Sequence, residues 1–204
     1  MMIVMIAFMI MIMYSQGMKT SKANVEANRE KLLEAAAEGF RTHGFDGVKV
    51  ADVMRAAGLS HGAFYTYFSS KDDLTAQACA ASLNRQAARL KAAKGDSKTE
   101  LEAYVTRYLS TKNRDLPEQA CMFPTLAADV ARQTAPVRQV FSDGVEDYLD
   151  ALAVLSDAGE GREKAITLLS TLVGAMVLAR AVGDESLSDE ILTTAKAEIL
   201  AHSG

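Results

Sequence analysis

Phe64, Tyr65, Tyr67 and Phe68 follow the turn Gly58-Leu59-Ser60 in the stretch VKVADVMRAAGLSHGAFYTYFSSK, residues 48–71. On a helix, Phe64 and Phe68 stand four residues apart and share one face. Val50, Val53, Met54, Ala57 and Leu59 offer apolar partners for that face from a short helix before the turn. The same geometry gathers His61, Gly62, Tyr65 and Thr66 on the opposite flank. Two short helices meeting at a glycine turn have helix-turn-helix length and spacing. The chemistry this permits is hydrogen bonding to a nucleic-acid duplex, with one flank anchored and the other free to enter a major groove. Helix-turn-helix shapes also occur in proteins that bind no DNA, and aromatics at this spacing pack against a core in either case.

The elements that must position this unit are helical. Ala, Leu, Glu and Lys dominate the 204 residues, Pro occurs three times and Trp not at all, which favours an all-α chain. From Asn24 to His43, Leu32, Leu33, Ala36, Ala37 and Phe40 form one apolar face. Gly44 sits where a left-handed residue would stop that helix, with Phe45 folding back. Val50–Ala57 is the second helix. Ser60 is placed to cap a third helix from His61 to Tyr67 or Phe68. Ser70-Lys71-Asp72-Asp73 resembles a capping box opening a fourth helix toward Lys94. Further helices are expected at Thr99–Arg114, at Ala120–Gln133 with Pro124 interrupting, at Pro136–Leu155, at Arg162–Val182 and at Ser188–His202. Breaks are expected at Gly95-Asp96-Ser97, Asp115-Leu116-Pro117 and Gly159-Glu160-Gly161.

The segment GFDGVKVADVMRAAGLSHGAFYTYFSSKDDL resembles the DNA-binding domain of the TetR (tetracycline-repressor-like) family. The matching features are the Gly44-Phe45 stop, the Ala57-Gly58-Leu59-Ser60 turn, Gly62, the Phe64-Tyr65-x-x-Phe68 core and Ser70-Lys71. The resemblance covers Asn24 to Leu74. It implies an N-terminal three-helix DNA-binding domain over residues 18–72 and a C-terminal helical bundle for ligand binding and dimerisation over residues 73–204. It further implies that the hydroxyls of Ser60, Tyr65 and Tyr67 and the cation of Lys71 contact operator phosphates. His61, Gly62, Ala63 and Thr66 match the positions nearest base edges. Lys49 is a departure, because the family often has a capping Thr or Ser there. A lysine cannot accept the N–H bond, but it offers a phosphate contact. Lys19 and Lys22 would form a basic arm along the backbone.

Arg162–Val182 is apolar almost all round, so a soluble helix of this kind must be covered on two sides. Arg180 and the short length argue against a membrane span. Core on one side and a second subunit on the other resembles the family's dimer interface, with Ser188–Ala201 alongside. The implied partners are double-stranded operator DNA, a second copy of the chain and a small-molecule effector, with no membrane and a cytoplasmic setting. The implied function is a repressor released from its operator by a small-molecule or electrophile signal. The alternative is an all-α ligand-binding or enzymatic protein without DNA binding. Candidate pocket residues are Tyr104, Tyr108 and Tyr148, with Met122, Phe123 and Leu126; ordinary core is the competing reading for each. Cys121, read near a helix start, is a further candidate there, since a helix N-terminus lowers a thiol pKa; a buried, inert thiol is its competing reading.

Cys79 and Cys121 are the only cysteines and lack CxxC spacing, and His43, His61 and His202 are scattered. No disulfide framework, metal site, cofactor motif or catalytic set is expected from them. The net charge is −4, but residues 18–72 hold eight Lys/Arg against seven Asp/Glu, whereas residues 73–204 hold fourteen against nineteen. Only the first part suits phosphate. Residues 1–17 open with MMIVMIAFMIMIM, which as a helix would span about 20 Å, short of a bilayer core. Three readings stand: a translation start placed upstream of Met18, a membrane-touching anchor, or a strand-forming tail. The first is favoured because nothing downstream continues the pattern, and residues 1–17 are set outside the fold.

Overall fold

The computed structural model describes residues 2–92, 96–155 and 161–202, with side chains from Lys22 onward. Lys94, Gly95, Gly159 and Glu160, named above as a helix limit and as breaks, lie outside the described residues, as does the side chain of Lys19. Among the described residues all regular structure is helical. α1 spans Met2–Gly47, α2 Val50–Ala56, and a 3₁₀ turn at His61–Ala63 leads into α3, Phe64–Tyr67. α4 is Lys71–Lys91, α5 Ser97–Tyr108, α6 Thr111–Asp115 and, after a 3₁₀ turn at Pro117–Gln119, α7 is Phe123–Val130. α8 (Ala135–Leu155), α9 (Gly161–Ala181) and α10 (Glu185–Ala201) complete the chain.

α1 is longer than its expected Asn24 start. The backbone of residues 2–23 continues the same helix, so the apolar stretch is helical rather than extended. The helix breaks where Gly44 adopts φ 71° and ψ 172°, a conformation that a Cβ disfavours. Phe45 then turns back onto Phe40, with ring centroids 5.3 Å apart.

Local capping explains most of the other boundaries. The Ser70 side chain accepts the Asp73 N–H at 3.0 Å, while the Asp73 carboxylate accepts the Ser69 N–H at 2.8 Å. The capping box is therefore shifted by one residue on its return arm. Asp96 and Asp184 cap α5 and α10 in the same way, through the Thr99 and Leu187 N–H groups. The single helix expected over Thr99–Arg114 is two helices. Ser110 accepts the Asn113 N–H at 3.2 Å and starts a new helix after a break at Leu109. Pro124 lies in the first turn of α7 and opens that helix instead of interrupting it, as suits a residue with no N–H to donate.

One apolar core joins both parts of the chain, running from Leu32 and Phe40 on α1 through Leu83 on α4 to Leu172 on α9 and Leu192 on α10. α4 packs against α1 on one side and α8 on the other. α9 is long and apolar enough to cross a membrane, yet Leu168, Leu169, Leu172 and Met176 are buried in the core. α4 and α8 approach closely at Gly144, where an added Cβ would stand 2.5 Å from Leu83 Cδ1 and 3.0 Å from Leu83 Cβ. Gly144→Val should therefore lower stability by about 1–3 kcal/mol through overpacking. Urea denaturation followed by circular dichroism measures this.

Candidate nucleic-acid interface

α3 is one turn long, too short to hold helical form by itself. Its position comes from Phe64 and Phe68, which are 3% and 2% exposed with ring centroids 5.8 Å apart. The turn before it is closed by main-chain bonds from Leu59 N–H to the Met54 carbonyl at 2.8 Å and from Gly58 N–H to the Arg55 carbonyl at 3.0 Å. Gly58 takes φ 72°, the left-handed region this turn requires. Val53 and Met54 are buried against the same core, and Val50, Ala57 and Leu59 are partly buried.

With its phenylalanines held, the segment leaves its other flank in solvent. Tyr65 is 80% exposed, and His61, Gly62 and Thr66 are exposed beside it. Ala63 is half-buried. Ser60 is exposed and occupies the N-cap position, but its side chain makes no capping bond. The first turn is 3₁₀, closed by the Ala63 N–H to the Ser60 carbonyl at 3.1 Å, so the expected cap is absent and the hydroxyl stays outside. Lys49 is exposed at the start of α2 and makes no side-chain cap, while its carbonyl accepts from the Asp52 N–H at 3.0 Å.

Two of the candidate phosphate contacts are engaged within the protein. Lys71 Nζ donates to the Phe45 carbonyl at 2.8 Å, tying the start of α4 to the end of α1. An ammonium has three donors, so this bond leaves others for an anion. Tyr67 is half-buried, and its hydroxyl accepts from Asn28 Nδ2 at 3.4 Å. Lys22, the described half of the basic arm, is exposed on α1. Arg55 is an exposed cation on α2 that the sequence reading passed over. It pairs with Asp52, and its only sequence signal is its place in the last turn of that helix.

The candidate pocket residues of the C-terminal part come together in the core, all buried. The Tyr104 and Tyr148 hydroxyls are hydrogen-bonded at 2.8 Å, the Tyr104 and Tyr108 rings lie 5.8 Å apart, and the Phe123 ring meets Tyr148 edge-on at 5.1 Å. Met122 and Leu126 are fully enclosed at 0% and 1% exposure. Burial pushes all three phenols above their ordinary range, because the ionised form would lose its water.

Cys121 corrects an expectation. It precedes α7 and receives the Phe123 N–H, which favours the thiolate, but burial outweighs that bond and raises the thiol pKa. Cys79 is pushed up to about 12 by burial in α4. The helix-start argument considered only local sequence, whereas desolvation by the surrounding bundle sets the sign. Among the described residues no His/Cys/Asp/Glu group is arranged to hold a metal.

Arg41 and Arg180 are structural cations that the sequence reading did not assign. Arg41 Nε, on α1, donates to the Glu118 carbonyl at 2.7 Å, and its Nη1 donates to Ser82 Oγ at 3.2 Å. Arg180 Nη2 donates to the Asn113 carbonyl at 2.7 Å and Nε to the Arg114 carbonyl at 3.1 Å, closing the C-terminal end of α6.

Residues 32–78 match the model of the bacterial regulatory proteins of the tetR family. The matched stretch, less than half of the chain, contains the turn at Gly58 and the anchored segment Phe64–Tyr67. Two Bacillus subtilis (strain 168) proteins are similar to the same part: the HTH-type transcriptional regulator YdgC, 40% identical over 50 residues, and YwcC, 43% identical over 58 residues. These matches cover 24% and 28% of this chain and 26% of each relative, so the likeness spans about a quarter of either protein. The TetR fold extends over the remainder. The reduced form of NemR from E. coli superposes with a TM-score of 0.71 at 22% identity, covering 85% of this chain and 95% of that one. A TetR-family regulator from Agrobacterium tumefaciens superposes with a TM-score of 0.70 at 20% identity, covering 86% and 98%.

The thiol environments make a direct prediction. Brief iodoacetamide treatment of the native protein at pH 8 should leave Cys79 and Cys121 unmodified, because the reactive thiolate forms only at higher pH and is shielded. Both should alkylate in guanidinium. Peptide mass spectrometry reads the difference.

Proposed function

We propose that this chain is a cytoplasmic, homodimeric, DNA-binding transcriptional regulator, a repressor released from its operator by a small molecule. The observation that carries the reading is the one-turn segment anchored by Phe64 and Phe68 with Tyr65, His61, Gly62 and Thr66 turned to solvent. Lys49 and Lys71 stand at the starts of the two helices beside it, where cations suit flanking phosphates. A protonated, enclosed Cys121 favours the small-molecule arm of the signal over the electrophile arm.

A second copy of the chain is the partner that fits α9. Ile166, Val177 and Leu178 are large apolar side chains 43%, 42% and 56% exposed, and Leu187 of α10 adds a fourth at 44%. Gly174 lies between them with open space where a Cβ would go, which lets another helix approach. Two-fold pairing would present two reading segments to two half-sites.

Two variants test this reading. Tyr65→Ala should weaken binding of DNA from directly upstream of the chain's own coding sequence by about tenfold or more, with the melting temperature unchanged because the side chain is exposed. Lys49→Ala should flatten the dependence of log affinity on log salt by about one unit per half-site. Fluorescence anisotropy across a salt series measures both, and unchanged affinity for Tyr65→Ala would sink the DNA reading. Val177→Glu should shift the protein from dimer to monomer in sedimentation velocity and weaken operator binding with it.

A further inference from the structure

We infer that Arg180 on α9 and Arg41 on α1, gripping the two ends of one strap, set the separation of the two reading segments in the dimer. The inference rests on the proposed pairing of α9 and α10 with a second copy, and it names the residues that carry that pairing to the DNA-facing end. The strap is residues 111–119, α6 and the 3₁₀ turn that follows it. It lies between Leu109 and Ala120, which are buried, yet none of its own residues is. Leu116, its one large aliphatic side chain, is half-buried and does not join the apolar core cluster. A segment without buried side chains is not fixed by the hydrophobic effect, so polar bonds decide where it sits.

Those bonds come from arginines on three elements. Arg180 donates to the Asn113 and Arg114 carbonyls at 2.7 and 3.1 Å. Arg114 reaches back from the strap to α10, donating to Ser188 Oγ and Asp189 Oδ1, each at 2.8 Å. At the other end Arg41 donates to the Glu118 carbonyl at 2.7 Å and to Ser82 Oγ of α4 at 3.2 Å. Burial takes Arg41 and Arg180 partly out of water and lowers the pKa of both. In such surroundings a charge-assisted bond is strong and directional.

The strap therefore runs from the helices that would meet a second copy to the helix that carries the reading segment. The Gly44 stop follows Arg41 within one turn, Phe45 beyond it gives its carbonyl to Lys71, and α2 begins at Val50. A shift of the strap acts on α1 beside the break from which the reading unit hangs, and on α4 through Ser82. In a pair the shift is doubled, because two-fold symmetry repeats it on the partner. Half-sites at a set interval make that separation the quantity the operator reads.

Double electron–electron resonance on the full chain, with a nitroxide on Ala51→Cys at the exposed start of α2, measures the separation without DNA. Cys79 and Cys121 are buried and stay unlabelled. Arg180→Met and Arg41→Met keep an aliphatic stem and remove the bonds. Each should widen the wild-type distance distribution about twofold, although Arg180 lies at the far end of the strap from the reading unit. Arg41→Lys, which can still reach one carbonyl, should fall between. Arg162→Met, which removes an exposed pair with Glu146 outside the strap, should leave the distribution unchanged. Should circular dichroism show Arg180→Met unfolded, Arg180→Lys takes its place, with an intermediate width expected. On DNA from directly upstream of the chain's own coding sequence, two base pairs inserted at the centre of the footprint should cost wild type about tenfold in affinity and Arg180→Met less than about threefold. A wild-type distribution in either methionine variant, the same widening in Arg162→Met, or undiminished spacing discrimination in Arg180→Met overturns the inference. A monomer in sedimentation velocity overturns the pairing and the inference with it. A dimer that holds none of this DNA overturns the regulator reading alone, since the distances still decide the role of the strap.

Discussion

Everything at the proposed DNA-facing end depends on burying Phe64 and Phe68. A four-residue helix has no hydrogen-bond ladder to sustain it, so its orientation is set by what its side chains enter. Full burial of two phenylalanines contributes about 3–6 kcal/mol of transfer free energy, enough to hold one turn in register. The exposed tyrosine between them is therefore carried on a rigid base. That base is shared, because both rings join the one apolar cluster that also holds residues of α1 and α4.

The polar ties divide the work differently. Lys71 joins α4 to the end of α1, Arg41 joins α1 to the segment before α7, and Arg180 joins α9 to α6. Each is a cation bound to a main-chain carbonyl, and for Arg180 the acceptors are the last carbonyls of α6, where the helix dipole favours such bonds. The greasy core gives this molecule its stability, and these three bonds give it relative placement of helices.

How much of this could be read from residues alone follows from how local each cause is. The Gly44 stop, the Gly58 turn and the paired phenylalanines were legible because glycine geometry and four-residue spacing act within one segment. The clustering of Tyr104, Tyr108 and Tyr148 was legible only as three apolar-face positions, and their meeting depends on how α5 packs on α8. Ser60 misled because its type suits a cap, yet the tighter first turn closes through the main chain. Ser110 was overlooked as a helix start because the apolar pattern runs past it unbroken. Arg41 and Arg180 escaped because their partners are carbonyls, which every residue has and no composition marks. For Cys121 the buried, inert reading fits and the helix-start argument does not, because desolvation by the surrounding helices outweighs one neighbouring N–H.

The brevity of α3 has a consequence for information. One turn of helix spans only a few base pairs of groove, and a word that short recurs by chance every few hundred base pairs of any genome. Uniqueness must then come from grammar, in the repetition of the word at a set interval. On the proposed reading, address accuracy is decided far from the letters, by whatever fixes the distance between two copies of a very small alphabet reader.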